Sequence, residues 1–298
     1  MSVTAIRGFG FDGGHLEEHG LSESGEVIEV PTHRHEISMN VVDVQAFGRY
    51  AFNESWFGEL RVPFGIRDQE VEIQTRLAGS APTQDEIDAM IRNGANHHRT
   101  ETFSGIRDPQ ILVGRQSLAP FAENDLLLWS AGVTVPLGST EADPWLRAEE
   151  GRRHTHIQLG SGTVDPVISL QYVRPLSSRW SAIATTSGRF PLYENSKTFQ
   201  GPIDGSFSGR AIFVPGGMWS FDAGYQLAAQ GYAHWDGERD ENTGLLSHTF
   251  ELGATGQFAG TRVRLGGLFP VATHLFLDDS DGFKPGPSLS LSVTRSGG

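Results

Sequence analysis

The feature that most constrains this chain is a strict alternation of apolar with polar or small residues. From Trp219 to Ala229, the residues Trp219, Phe221, Ala223, Tyr225, Leu227 and Ala229 share one face, while Ser220, Asp222, Gly224, Gln226 and Ala228 share the other. A repeat of two is what a strand produces, because successive side chains point to opposite faces. Twelve stretches carry it, near 2–11, 35–51, 56–66, 106–116, 124–137, 158–174, 179–193, 203–215, 218–232, 246–259, 261–274 and 286–295. The joins alternate short with long. Short ones lie at 52–55, 117–123, 175–178, 215–217 and near 260; long ones lie near 12–34, 67–105, 138–157, 194–202, 233–245 and 275–285. Consecutive antiparallel hairpins with one trimmed and one ragged end give that rhythm, and it is the layout of a transmembrane barrel. The expected fold is therefore all-β: one antiparallel up-and-down barrel of about 12 strands, with short periplasmic turns and long extracellular loops. It is expected to occupy 1–298 as a single outer-membrane domain.

Composition agrees. No segment approaches the roughly 20 consecutive apolar residues of a membrane helix, and the 38% hydrophobic content with 37 glycines suits a wall in which only alternate residues meet lipid. The absence of cysteine excludes disulfides, thiolate metal sites and a Cys nucleophile. A formal charge of −13 argues against a nucleic-acid partner. Met1 to Ala5 carry neither the basic nor the apolar stretch of a signal peptide, so the expectation is a mature chain of a bacterial outer membrane whose leader has been removed.

Local chemistry supports the layout. Arg174-Pro175-Leu176-Ser177-Ser178, Pro215-Gly216-Gly217 and Ala259-Gly260 are turn sequences. Trp56, Trp180 and Trp219 each stand on the apolar face just after a short turn, which is where an aromatic girdle at the membrane interface belongs. In the longest loop, Thr83 followed by Glu86 forms a capping box, and Ile87, Met90 and Ile91 make a one-sided stripe, so a short helix is expected near 83–93. It either enters the barrel mouth or caps the loop outside.

Several short motifs carry a family resemblance. Gln158-Leu159-Gly160-Ser161-Gly162-Thr163-Val164-Asp165-Pro166, preceded by His156-Ile157, resembles the QLGTGSxDP-type signature of outer-membrane proteins of the MetA-pathway of phenol degradation family. Gly105-Ile106-Arg107-Asp108 is similar to that family's GxGD strand start, and Val135-Pro136-Leu137-Gly138 to its LPTG strand end. His33-Arg34-His35-Glu36 and Val62-Pro63-Phe64 extend the likeness over residues of about 33–295. The resemblance implies an outer-membrane barrel transporter with loose kinship to porins for hydrophobic or aromatic compounds, and it fixes no substrate. The chain departs from barrel habit at Val293–Gly298, where the terminal aromatic is missing.

With apolar residues facing lipid, the lumen receives Asp43, Arg49, Glu59, Arg61, Asp165, Arg189, Arg210, Asp222, Glu251, Arg262 and Arg264, together with Gln45 and Gln171. Inward charges of both signs either line a polar solute path or pair to fill the bore. Arg262 and Arg264, near a periplasmic turn, are the preferred contacts for an anion. All eleven histidines fall in the external loops or at external strand ends. The pairs His33/His35 and His154/His156 point to one side at strand spacing, so each offers two imidazoles to a divalent metal. The plain alternative is polar residues in solvated loops with no cofactor at all. Acidic runs such as Glu149-Glu150 and Asp278-Asp279-Ser280-Asp281 make the mouth a cation-collecting vestibule. Asp279-Ser280-Asp281-Gly282 lacks the later Glu of a calcium loop and is discounted.

The function expected is an outer-membrane channel or diffusion-type transporter for small molecules, with the bilayer and a small solute as partners. Two alternatives belong to other classes. One is a barrel that sheathes a partner protein such as an electron carrier. The other is a lipid-modifying enzyme, for which Ser247-His248 sits at a suitable height although neighbours in a strand face opposite ways.

Overall fold

The computed structural model describes residues 1–277 and 283–295. Its strands are β1 (Ser2–Leu21), β2 (Val27–Ala51), β3 (Trp56–Gln74), β4 (Glu101–Ile106), β5 (Gln110–Leu118), β6 (Leu126–Thr134), β7 (Pro166–Pro175), β8 (Trp180–Arg189), β9 (Phe199–Gln200), β10 (Asp204–Gly216), β11 (Trp219–Gln230), β12 (His234–Trp235), β13 (Glu238–Arg239), β14 (Leu245–Phe258), β15 (Thr261–Leu275) and β16 (Ser288–Arg295). Two helices, α1 (Gln84–His97) and α2 (Pro144–Glu149), lie between them. Each wall strand pairs antiparallel with the next, and β16 returns to β1 with Ser2 opposite Thr294, so the sheet closes into a barrel. β4 and β5 occupy one position, both paired to β3, which makes twelve positions in the ring. Closure pairs the strands around the ring, as a membrane-spanning sheet requires, and β4 is paired on its β3 side only.

The wall is longer on one side than alternation suggests. Residues 12–21 and 27–34 continue β1 and β2 around a tight turn, and β3 runs on to Gln74, where loops were expected. The reason is physical. Beyond the apolar belt these strands meet water or α1 instead of lipid, so regular alternation disappears while backbone pairing persists. Register shifts between Gly8 and Phe11 and between Glu17 and His19 break the parity further. At β7 the strand is shorter than expected, beginning at Pro166 rather than near 158. Residues 158–165 leave the sheet; Gly162 there adopts φ of 70°, a conformation open to glycine at little cost.

One bulge positions the site. Between β4 and β5, Arg107, Asp108 and Pro109 stand opposite only Val62 and Pro63 of β3, since Ile106 pairs with Phe64 and Gln110 with Arg61. The surplus residue re-aims Asp108, as bulges do at functional rims.

Beyond the barrel, α1 begins at the expected capping box: Thr83 accepts from the Glu86 N–H at 3.3 Å, and Glu86 accepts from the Thr83 N–H at 2.7 Å. Ala89 and Met90 then pack against Val30 and Ile73. β9, β12 and β13 form a separate small sheet whose core is Phe199, Ala233 and Trp235. The acidic stretch around Asp279–Gly282 lies outside the described residues.

Candidate functional site

The wall is turned inside out relative to a soluble protein. Glu59 and Glu251 are each 5% exposed, whereas Leu60, Ile111 and Leu265 expose 49%, 54% and 62%. An apolar outer face with a polar bore is the arrangement hydrocarbon demands. Trp56, Trp180 and Trp219 open β3, β8 and β11 on that outer face. Trp129 joins them: it shares Arg115 as register partner with Trp56, and the two rings meet edge to face at 5.9 Å. Arg115, a charge on the lipid side, is thereby explained, because its guanidinium lies 5.8 Å from the Trp56 ring at interface depth.

Inside, the charges form clusters. Glu59 receives Arg49 at 2.6 Å and Arg61 at 2.8 Å. Arg264 reaches Asp222 at 2.6 Å and also binds Glu251, with Arg210 about as far as a salt bridge extends, at 3.9 and 3.8 Å. Asp43 holds Arg67 at 2.9 Å and Arg107 at 3.5 Å. Asp165, fully buried, pairs with Arg189 at 3.3 Å, and Arg189 reaches Asp204 at 2.6 Å. Arg262 makes no ion pair among the described residues and lines the cavity near the turn to β14. Of the two arginines expected to contact an anion, Arg264 is thus engaged by carboxylates and Arg262 is available.

These side chains enclose space. A cavity of about 980 Å³ fills the half of the bore on the short-turn side. Arg49, Arg61, Arg210, Arg262 and Arg264 stand on or beside it against Glu59, Asp222 and Glu251, so its lining is net positive in a chain of net charge −13. Phe47, Phe57, Leu128 and Ile212 supply an apolar part of the same lining. Arg61 donates to Gln110 at 3.3 Å, and Gln110 belongs to a second cavity of about 390 Å³ above it.

The upper cavity has a roof, made by the loop between β6 and β7. His156, Gln158, Leu159, Gly160 and Ser161 line it together with wall residues Gln45, Gln110, Arg189 and Asp204. Asp108, aimed inward by the bulge, holds this roof. It accepts from the Gly138 N–H at 2.8 Å, the Ser161 N–H at 2.7 Å and the Ser161 hydroxyl at 3.0 Å. Gly138 and Gly160 pass so closely that a Cβ on Gly138 would lie 2.6 Å from the Gly160 Cα. Asp165 ends the roof, accepting from Thr163 Oγ1 at 2.5 Å while its N–H donates to Thr134 Oγ1. Asp165 is therefore an anchor of the roof as well as a partner of Arg189. Asp108 and Ser161 were missed as site residues, although both sit within the family-like motifs. The signal lay in those motifs, and alternation could not show that a bulge brings them together.

Histidines gather above the roof. His33 and His35 are buried with their Nε2 atoms 3.1 Å apart, and His154 and His156 rings lie 5.5 Å apart. His33 and His35 share a face of β2, whereas His154 and His156 lie outside the strands, in the loop before β7. Among the described residues, the group able to surround an ion is His15, His35 and His98. Burial pushes His33 and His154 below the ordinary imidazole value and His156 down to about 3, so these three imidazoles are neutral at pH 7. For Glu17, burial pushes the carboxyl up, but hydrogen bonds from His15, His19 and two backbone N–H groups outweigh it and hold the group well below the usual carboxylate range.

The fold has known counterparts. No family model matches the chain, and no curated protein matches it either. Among solved structures, the COG4313 outer membrane channel from Pseudomonas putida F1 is similar with a TM-score of 0.59 at 13% identity, covering 99% of this chain and 94% of that one. A Pseudomonas aeruginosa FadL homologue and the P. putida toluene transporter TodX are more distant, each with a TM-score of 0.41 at 8% identity and over 98–99% of this chain. The chain has the closed twelve-strand fold of a Gram-negative outer-membrane barrel.

Proposed function

We propose that the protein is an outer-membrane diffusion channel for small molecules with an apolar body and an anionic or hydrogen-bonding end. The observation that carries this reading is the 980 Å³ cavity, whose lining combines aromatic and aliphatic side chains with an excess of arginine. A ring seats against Phe47, Phe57 and Leu128 while Arg262 meets a carboxylate or phenolate oxygen. The roof makes the channel a gated one, and its anchors Asp108 and Asp165 hold it shut. Membership of the MetA-pathway of phenol degradation family fits: three of the motifs that resemble it meet at Asp108, Gly138 and Ser161. Ser247 turns inward toward Thr273 at 3.5 Å, whereas His248 bonds the outward Tyr225, so the two residues form no nucleophile–base pair.

Single-channel recording of the refolded chain in planar bilayers tests the reading. Discrete steps with an anion-selective reversal potential support it, together with block by benzoate from the periplasmic side. A folded barrel that passes no current even after the roof is released by mutation overturns it.

A further inference from the structure

We propose that His15, His35 and His98 form a binding site for one divalent transition-metal ion of the zinc class at the outer mouth. Their ligand nitrogens all lie within 4.8 Å of one another, and the ring centroids are 5.1, 5.1 and 5.4 Å apart. Three elements supply them. His15 of β1 and His35 of β2 are direct cross-strand partners, and His98 is the C-cap of α1, fixed by its N–H on Gly94 O at 2.8 Å. His35 and His98 are buried, so two of the three ligands are held by packing rather than carried on a solvated loop.

Geometry and chemistry agree on the class of ion. Metal–nitrogen bonds of about 2.0–2.1 Å require the rings to close in by less than ~1 Å each. Three imidazoles without a carboxylate among the ligands suit zinc, cobalt, nickel or copper and disfavour magnesium and calcium, which demand oxygen. Glu17 stands behind the site with a carboxylate oxygen 3.9 Å from His15 Nε2, the place of the acidic group that orients a metal-bound histidine and offsets the ion's charge. His33 Nε2 lies 3.1 Å from His35 Nε2, which places a further imidazole beside the site.

The consequence is mechanical. The ion ties the end of α1 to the β1–β2 hairpin. His98 also stacks on His156 at 5.8 Å, so the tie reaches the roof loop. The site does not depend on which solute the barrel passes.

Cobalt(II) and zinc(II) titrations of the refolded full chain in detergent test the site, by visible absorption and equilibrium dialysis. One ion per chain is expected, with the ligand-field bands of four-coordinate cobalt. His15→Gln and His98→Gln should each weaken binding by roughly 100-fold, the upper end of what even indirect supporting groups cost. His248→Gln/His274→Gln, altering a histidine pair 5.9 Å apart elsewhere on the rim, should bind as the unaltered chain does. Heat-modifiable migration of every variant verifies that the barrel is folded. Zinc should also slow amide exchange in 87–97 in the unaltered chain and leave it unchanged in His15→Gln/His98→Gln. Absence of stoichiometric binding overturns the proposal, as does undiminished binding by either single variant, or loss of binding only in the His248/His274 variant.

Discussion

Replacing Asp108 with alanine should release the roof. Asp108 is 7% exposed, and its carboxylate accepts from Gly138 N–H, Ser161 N–H and Ser161 Oγ at 2.8, 2.7 and 3.0 Å. A hydrogen bond to a charged acceptor contributes a net of about 1.5–3 kcal/mol. Water in the bore would replace part of this, so the three together are worth about 3 kcal/mol rather than their sum. That corresponds to roughly 100-fold in the ratio of docked to released roof. Asp108→Asn keeps one acceptor oxygen and should fall between. Two assays read the equilibrium. In planar bilayers the open fraction of Asp108→Ala should rise roughly 10–100-fold. In intact barrels, trypsin should cleave after Arg152 and Arg153 much faster, since these residues border the released segment. Unchanged open fraction together with unchanged cleavage would refute the latch.

Other perturbations probe separate parts. Gly138→Ala should mimic Asp108→Ala in conductance without touching the wall, because its Cβ would meet the Gly160 Cα at 2.6 Å and Leu159 O at 2.7 Å; a silent variant would sink that assignment. Arg262→Ala should lower anion selectivity and Glu59→Gln should raise it by freeing Arg49 and Arg61, read as opposite shifts of reversal potential under a salt gradient. Arg264→Leu leaves Asp222 and Glu251 facing each other with only the more distant Arg210, a loss of about 3 kcal/mol seen as a lower urea midpoint; an unchanged midpoint would show that water compensates. Thr83→Ala should speed amide exchange at the start of α1. The carboxyl of Glu86 lies below its ordinary value because it accepts from the Thr83 N–H and hydroxyl, so its support of the helix is present at neutral pH and fades as pH falls through the carboxylate range.

Alternation revealed the wall where lipid imposes it and failed where lipid stops. Trp219 to Gln230 and Ser288 to Arg295 lie in hydrocarbon, so each outward position must be apolar or small, and their boundaries were legible almost to the residue. Phe11 to Leu21 also pair with β2, but both faces meet water or other polypeptide, and register shifts at Gly8/Phe11 and Glu17/His19 scramble parity. Nothing in the side chains then distinguishes strand from loop. The inward charges were legible for the same reason as the wall, since parity assigns Glu59, Asp222 and Arg264 to the bore. Their partners were not. Arg264 joins Asp222 and Glu251 from three strands, and that choice depends on stagger, which a strand-by-strand pattern does not encode.

The roof illustrates a different limit. Gln158 to Asp165 reads as the start of a strand, yet the segment leaves the sheet and lines the upper cavity with residues of the wall. What decides the matter is a surplus residue more than fifty positions earlier, at Arg107–Pro109, which turns Asp108 inward so that it collects Gly138 and Ser161. Three short motifs, each weak alone, are then one object: a carboxylate, the glycine that permits close approach, and the serine that closes the latch. A sheath for a partner protein would need no such latch, and a barrel filled only for stability would have no reason to leave 980 Å³ of arginine-rich space beneath it. A held roof above a charged, partly aromatic chamber is what a gated pore requires.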